Sequence, residues 1–269
     1  MELRTIMKLF GRTVPIIAKI ERFEGYEDIV DIINESDAIM VARGDLGLEM
    51  PAEDVPVLQK EIISKCNFYG KPVITATQML ESMISNPRPT RAEASDVANA
   101  VIDGTDCVML SGETSIGAFP FDAVKYMAKI IRSTEEKYKS RGNQSYDKVK
   151  FISEALGMAS CTIAEQIEAK AIITETTTGY TAKNIAKYRP CTPIIAVCTD
   201  PAISRSLAIV WGVNAITRTT SYPIEDGSPA FDKLRNYFPC LAPDSHVVYV
   251  AGLSGSKDQP KNQLRIVRG

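Results

Sequence analysis

The chain has 269 residues, 45% of them hydrophobic and 24% charged, with a formal net charge of -2. That length holds one large α/β domain or two medium ones and buries a sizeable core. Interspersed acids and bases exclude a field that draws nucleic acid or an anionic membrane, and no apolar run reaches the length of a bilayer span.

Residues 1–10 carry apolar groups at helical spacing without a signal-peptide h-region or cleavage site. They predict an amphipathic helix ahead of the first strand. Ile16-Ile17-Ala18-Lys19-Ile20-Glu21 follows, an apolar, β-branched run that stops on charge. That is the pattern of a buried parallel strand whose C-terminal end opens onto a polar site. Residues 26–34 predict a short helix with Ile29, Ile32 and Ile33 on one face. Met40-Val41-Ala42-Arg43-Gly44-Asp45-Leu46-Gly47 repeats the strand pattern and turns at glycine. Residues 53–69 predict a half-buried helix with Val57, Leu58, Glu61, Ile62 and Cys66 inward, stopped by Gly70. A third strand ends at Thr75-Ala76-Thr77-Gln78. Thr90, with Glu93 at the capping-box position, starts a helix over Arg91–Asp103 that Gly104 closes. A fourth strand ends at Leu110-Ser111-Gly112-Glu113, and residues 121–139 predict a long amphipathic helix. Strand and helix alternating at this spacing imply βαβ units and a parallel sheet.

The polar run at 139–145 has no periodicity and marks a domain boundary, giving domains 1–140 and 141–269. Beyond it, helices are predicted at 148–168, 180–188, 202–209 and 231–238. Strands at 171–174, 194–198, 214–217, 247–251 and 264–267 make a second α/β layer structure. Cys66, Cys107, Cys161, Cys191, Cys198 and Cys240 are scattered without a CxxC pair and read as reduced core thiols of a cytoplasmic protein. His246 is the single histidine, in a strand-like run, so a zinc site is not expected.

In a closed β/α barrel, chemistry collects at the C-terminal ends of the strands. Here those ends carry Lys19, Glu21, Asp45, Thr77, Ser111 and Glu113. Two hard carboxylates with room for water, Glu21 and Asp45, suit Mg²⁺. Lys19 shares a strand face with Glu21, and an ammonium beside a metal neutralises charge on a transferring phosphoryl group or an enolate. A structural lysine–carboxylate pair is the plainer alternative for either strand alone. Backbone amides at Gly44 and Asp45 form an anion cradle. Thr77 and Ser111 offer hydroxyls for proton relay or oxygen binding, or are strand-end caps. In the second half, Thr176, Thr177, Thr178, Gly179 and Thr181 join a strand to a helix, as a phosphate site or as ordinary N-capping. The loop 251–256 follows another strand and is placed to close the same pocket. Neither glycine-rich run is a Rossmann or Walker A fingerprint.

Taken together, residues 16–21, 40–47, 75–83, 87–93 and 110–114 resemble the pyruvate kinase family in order and spacing, and the likeness extends more loosely past Ser140. The resemblance implies an α/β fold: part (half) of a TIM-type β/α barrel followed by a smaller α/β C-terminal domain. It implies phosphoryl transfer from phosphoenolpyruvate to ADP, giving pyruvate and ATP in glycolysis. By the same resemblance Lys19 stabilises the transferring phosphoryl and the enolate, and Glu21 and Asp45 hold Mg²⁺. Gly44, Asp45 and Thr77 take the substrate carboxylate, and Ser111 joins the proton relay. Arg43 and the 88–91 segment face a subunit interface in a homo-oligomer, a tetramer in the family. Thr176 to Thr181 form a sugar-phosphate effector site. Only the last four barrel strands and the C-terminal domain are represented. The substrate-facing arginine, the K⁺ ligands and the lid over the nucleotide belong to parts of the family that this chain does not contain. Half a barrel has two open sheet edges, so the isolated chain is expected to have little or no kinase activity. A catalytically inactive half-length homologue with an effector-binding or oligomerising role is the alternative. Intact Lys19, Glu21, Asp45 and Thr77 argue against it.

Overall fold

The computed structural model describes residues 2–11, 14–138, 151–218, 229–242, 244–251 and 263–268. Two compact units divide the chain, Met1–Lys139 and Ser140–Gly269.

The first unit opens with α1 (Glu2–Leu9), whose Arg4 donates to the Glu35 carbonyl and pairs with Asp37 at 2.9 Å. Asp37 also accepts the Ile16 amide, so the helix is tied to the entrance of the first strand. The order is then β1 (Ile17–Ile20), α2 (Phe23–Glu27), α3 (Ile29–Glu35), β2 (Ala38–Ala42), α4 (Arg43–Glu49), α5 (Val55–Tyr69) and β3 (Val73–Ala76). A 3-10 turn at Glu81–Ile84 leads to α6 (Arg91–Asp103), β4 (Cys107–Met109), α7 (Gly112–Ser115) and α8 (Pro120–Lys137). The sheet runs β1-β2-β3-β4, every pair parallel, with Lys19 opposite Met40, Val41 opposite Thr75, and Ala76 opposite Met109. Parallel pairing puts all four C-terminal strand ends on one rim.

Alternation sorts the side chains. Ile20, Ile39, Val41 and Val73 pack with Ile29, Ile33, Ile62, Ile63 and Cys66 from α3 and α5. A second cluster joins Met79, Leu80 and Met83 to α6 and α8 through Val97, Ala100, Ala123 and Met127. On the opposite face of β1, Ile17 is 42% exposed.

Local signals explain the boundaries. Thr90 Oγ1 accepts the Glu93 amide while Glu93 accepts the Thr90 amide, the reciprocal box that starts α6. Gly70 and Gly104 end α5 and α6 at φ 66 and 93, where a side chain would be strained. The predicted 26–34 helix is two helices, α2 and α3, which share Asp28 as cap. In α5 the buried stripe is Leu58, Gln59, Ile62, Ile63, Cys66 and Asn67, and Val57 is exposed.

The second unit comprises α9 (Ile152–Gln166), β5 (Ala171–Thr176), α10 (Tyr180–Ala186), β6 (Ile194–Cys198), α11 (Pro201–Ser206), a 3-10 turn at Leu207–Ile209, and β7 (Val213–Thr217). It ends with α12 (Pro229–Tyr237), β8 (His246–Ala251) and β9 (Gln263–Arg268). Strand order is β7-β6-β5-β8-β9, parallel except for the β8–β9 pair. Ile172, Ile194, Ala196, Val248 and Val250 pack on one face with α9 and α10. Ile173, Ile195, Val197, Val247 and Tyr249 pack on the other with Phe231 and Leu234 of α12. The cysteines divide: Cys66 and Cys198 are buried, but Cys191 and Cys240 are exposed and therefore not core thiols. His246 is also exposed, at the start of β8. The run 139–145, residues 148–150 and the loop at 252–256 lie outside the described residues.

Candidate active site

Lys19, on the rim of β1, has its Nζ 2.6 Å from Glu21 Oε2 and 3.2 Å from Asp45 Oδ2. Asp45 comes from the first turn of α4, which begins directly after β2. One ammonium is thus shared by carboxylates from two adjacent strand ends, and all three side chains are well exposed. Hydrogen bonds that Lys19 donates to Glu21 first, then to Asp45, raise its pKa above the ordinary value. Lys19, and then Glu21, hold Asp45 below the usual carboxylate range. By formal charge the cluster is one ammonium beside two carboxylates, net -1. A divalent cation would reverse that sign. Two carboxylates with open sides fit Mg²⁺, which keeps several waters and takes substrate oxygens. No group of three or more acidic, histidine or cysteine ligands occurs among the described residues, so a fully protein-caged metal is not built here.

Thr77 stands at the end of β3. Its Oγ1 accepts the Gly44 amide at 2.8 Å and donates to the Ala76 carbonyl at 2.6 Å. Gly44 and Asp45 are consecutive, so this contact couples Thr77 to the charged cluster through one peptide. The Gly44 amide is engaged by Thr77 rather than standing open as half of an anion cradle. Ser111, beyond β4, donates its amide to Glu113 Oε2 at 2.7 Å. Its hydrogen bonds among the described residues include none to Lys19, Glu21, Asp45 or Thr77. Glu113 does not join the rim. It is buried and accepts the Leu80 amide as well as that of Ser111, bracing two loops.

Arg43, which the family resemblance places toward a subunit interface, is 8% exposed and makes its contacts within the first unit. It pairs with Asp96 at 2.7 Å and donates to the Thr77 carbonyl at 2.7 Å. Arg88 and Arg91 are exposed. A cleft of about 810 Å³ lies beside α4, lined by Arg43, Gly44, Leu48, Gln59 and Asp96 among others. Lys19, Glu21 and Asp45 do not line it, so the cleft and the charged cluster are separate features. Burial pushes the Cys66 and Cys161 thiols up to about 12, which leaves these two poorly nucleophilic.

Family models for the pyruvate kinase barrel domain and the pyruvate kinase alpha/beta domain match residues 1–124 and 154–267. The chain belongs to the pyruvate kinase family. It is 52% identical over 209 residues to a pyruvate kinase of Clostridium acetobutylicum, covering 77% of this chain and 44% of that one. It is 42% identical to a pyruvate kinase of Staphylococcus epidermidis, with 99% of this chain and 46% of the relative aligned. A crystal structure of a pyruvate kinase from Cryptosporidium parvum superposes with a TM-score of 0.85 at 44% identity, covering 95% of this chain and 51% of that one. The chain therefore spans about half the length of the relatives it matches. Within the family's architecture the four parallel strands are part of the β/α barrel, and the five-stranded unit is the α/β domain.

In the second unit, Gly179 donates its amide to Thr176 Oγ1 at 2.9 Å, closing the turn into α10. Thr176 and Thr181 are buried, whereas Thr177 and Thr178 are exposed. No described helix is long and apolar enough to cross a membrane.

Proposed function

We propose that this chain carries the phosphoryl-transfer rim of a pyruvate kinase, acting in the cytoplasm on phosphoenolpyruvate and ADP. The observation that carries the reading is Lys19 shared by Glu21 and Asp45, and joined through Gly44 to Thr77. In the reaction the bond between phosphorus and the enol oxygen breaks, and a new one forms to the terminal phosphate of ADP. The enolate carbon then takes a proton to give pyruvate.

Lys19 holds its ammonium where negative charge builds on the transferring group and the enolate oxygen. Glu21 and Asp45 would hold Mg²⁺, which when bound supplies charge neutralisation between substrate oxygens. Thr77 is assigned to orient the substrate carboxylate, with the Asp45 amide beside it, while the Gly44 amide holds Thr77 Oγ1 in place. Ser111 is assigned to proton delivery at the enolate carbon. By family resemblance the K⁺ ligands, an arginine and the nucleotide lid are supplied by regions that this chain does not contain. On that account the isolated chain has little or no turnover. The second unit is assigned effector binding, with Thr176, Thr177, Thr178, Gly179 and Thr181 around a sugar phosphate, and assembly into a homo-oligomer, a tetramer as in the family. Exposed hydroxyls at Thr177 and Thr178 support the effector reading.

The test is calorimetric titration of phosphoenolpyruvate into the full chain with and without Mg²⁺, alongside lactate-dehydrogenase-coupled pyruvate formation with ADP, Mg²⁺ and K⁺. Mg²⁺-dependent binding that disappears in Lys19→Met is expected. Binding that ignores Mg²⁺ or survives Lys19→Met removes the site assignment, and robust turnover removes the incomplete-site account.

A further inference from the structure

The most constrained backbone in the first unit is the turn after β3. Thr77 and Gln78 take φ 66 and 53, and they are its only non-glycine residues at positive φ among those described. Two consecutive left-handed residues, one of them β-branched, persist only where the surroundings impose them. The surroundings here are Arg43. Its Nη2 donates to the Thr77 carbonyl at 2.7 Å and the Gln78 carbonyl at 3.2 Å. Its Nη1 makes a two-oxygen contact with Asp96, at 2.8 and 2.7 Å, and reaches Gln59 Oε1 at 3.3 Å. Gln59 in turn donates to Asp103 Oδ2 at 3.1 Å, so α5 and α6 together hold the guanidinium that α4 presents.

We propose that Arg43 is a positioning residue for substrate binding: clamped by Asp96, it pins the Thr77–Gln78 turn and so sets the Thr77 hydroxyl against the Gly44 amide. The inference rests on the reading of Thr77 as the contact for the substrate carboxylate. Three consecutive residues divide the work. Arg43 grips the carbonyl of Thr77, Gly44 grips its hydroxyl, and Asp45 joins Lys19. Lysine cannot replace Arg43, because a single ammonium has neither the fork nor the span to hold Asp96 and two carbonyls together.

The experiment uses the full chain labelled with [15N]glycine, reading amide hydrogen exchange at Gly44. That resonance is assigned by its loss in Gly44→Ala, a tolerable change because the added Cβ meets Thr77 Oγ1 at an ordinary 3.5 Å. Gly104, whose amide closes α6 in the same unit, is the internal reference. In Arg43→Lys the Gly44 amide is expected to exchange about tenfold faster or more, with Gly104 within about twofold of wild type. Asp96→Asn, which keeps the side-chain size, should show the same selectivity at smaller amplitude and carries the test if Arg43→Lys does not fold. Unchanged Gly44 exchange, or Gly44 and Gly104 accelerating together, overturns the proposal, because a merely structural ion pair loosens the whole unit. A separate arm adds phosphoenolpyruvate with Mg²⁺ to wild-type chain. A shifted Gly44 resonance supports the substrate reading, and its absence counts against that reading alone, since the exchange result judges the clamp without substrate.

Discussion

The two sheets of this chain are built on different plans. In the second unit the central strands β5, β6 and β8 have covered faces on both sides, with Ile172 and Val248 under α9 and α10, and Ile173 and Tyr249 under α12. In the first unit one face is packed by α3 and α5, while the other presents Ile17 and the charged Lys19 at considerable exposure. The central strands of the second sheet therefore gain burial from both halves of their alternation pattern, whereas edge strand β1 of the first gains it from one; further in, Ile74 and Ala76 of β3 are buried too. Apolar surface left uncovered forfeits its burial energy, so the first sheet should be the less stable of the two.

The sharpest way to break this comparison is to remove equal volume from each sheet. Ile173→Ala should destabilise the second unit by about 3–4 kcal/mol, and Ile17→Ala the first by less than about 1 kcal/mol. Trp211 is the single tryptophan and lies in the second unit, so its fluorescence in urea reports that unit, with circular dichroism covering both. Equal costs would mean that Ile17 is packed as well as Ile173.

Next in size is the buried brace of the first unit. Asp96→Ala leaves the Arg43 guanidinium without its carboxylate; Asp96 itself is 37% exposed, so water replaces part of the pair, and the cost should be about 1–2 kcal/mol. The Trp211 transition should stay in place. A matching shift of that transition would show that the units unfold together.

Much of the rim was legible because it depends on local pattern. β-branched runs ending on Lys19-Ile20-Glu21, Gly44-Asp45 and Thr77 mark strand ends, and Thr90 with Glu93 marks the start of α6. What escaped depends on tertiary partners. Gln59 and Asn67 are buried because Asp103 and the Gly104 carbonyl receive them across to α6, which rotates the buried stripe of α5 away from Val57. Glu113 turns inward to meet two amides that no sequence period reveals. The partners of Arg43 are hidden for the same reason: its acceptors include carbonyls of a left-handed turn that Thr-Gln does not announce. The exposed Cys191 and Cys240 likewise follow from loop placement rather than from residue type.

A smaller effect belongs to Glu93, which serves four donors: the amides and hydroxyls of Thr90 and Ser82. Burial alone would raise its pKa, but the hydrogen bonds from Ser82 and Thr90 outweigh it, and the carboxyl lies below its ordinary value. A depressed folded pKa contributes stability that is present above the unfolded value and is lost as pH falls through the folded one. Glu93→Gln should therefore cost about 1 kcal/mol at neutral pH and flatten the acid limb of the first unit's stability profile. An acid limb as steep as wild type would assign it to other carboxylates.

The smallest stability change should come from the residue that matters most to the proposed chemistry. Lys19 is exposed, and its pKa is raised by Glu21 and Asp45. Any stabilisation from that shift is complete below the unfolded value of about 10.5 and is lost only as pH rises through the folded one, far from neutrality. Exposed ion pairs contribute little, so Lys19→Met should leave the urea midpoint unchanged at neutral pH while abolishing Mg²⁺-dependent phosphoenolpyruvate binding. Should the midpoint fall as far as it does for Asp96→Ala, Lys19 would be a structural strut, and the division between an exposed reactive rim and the brace beneath it would be wrong.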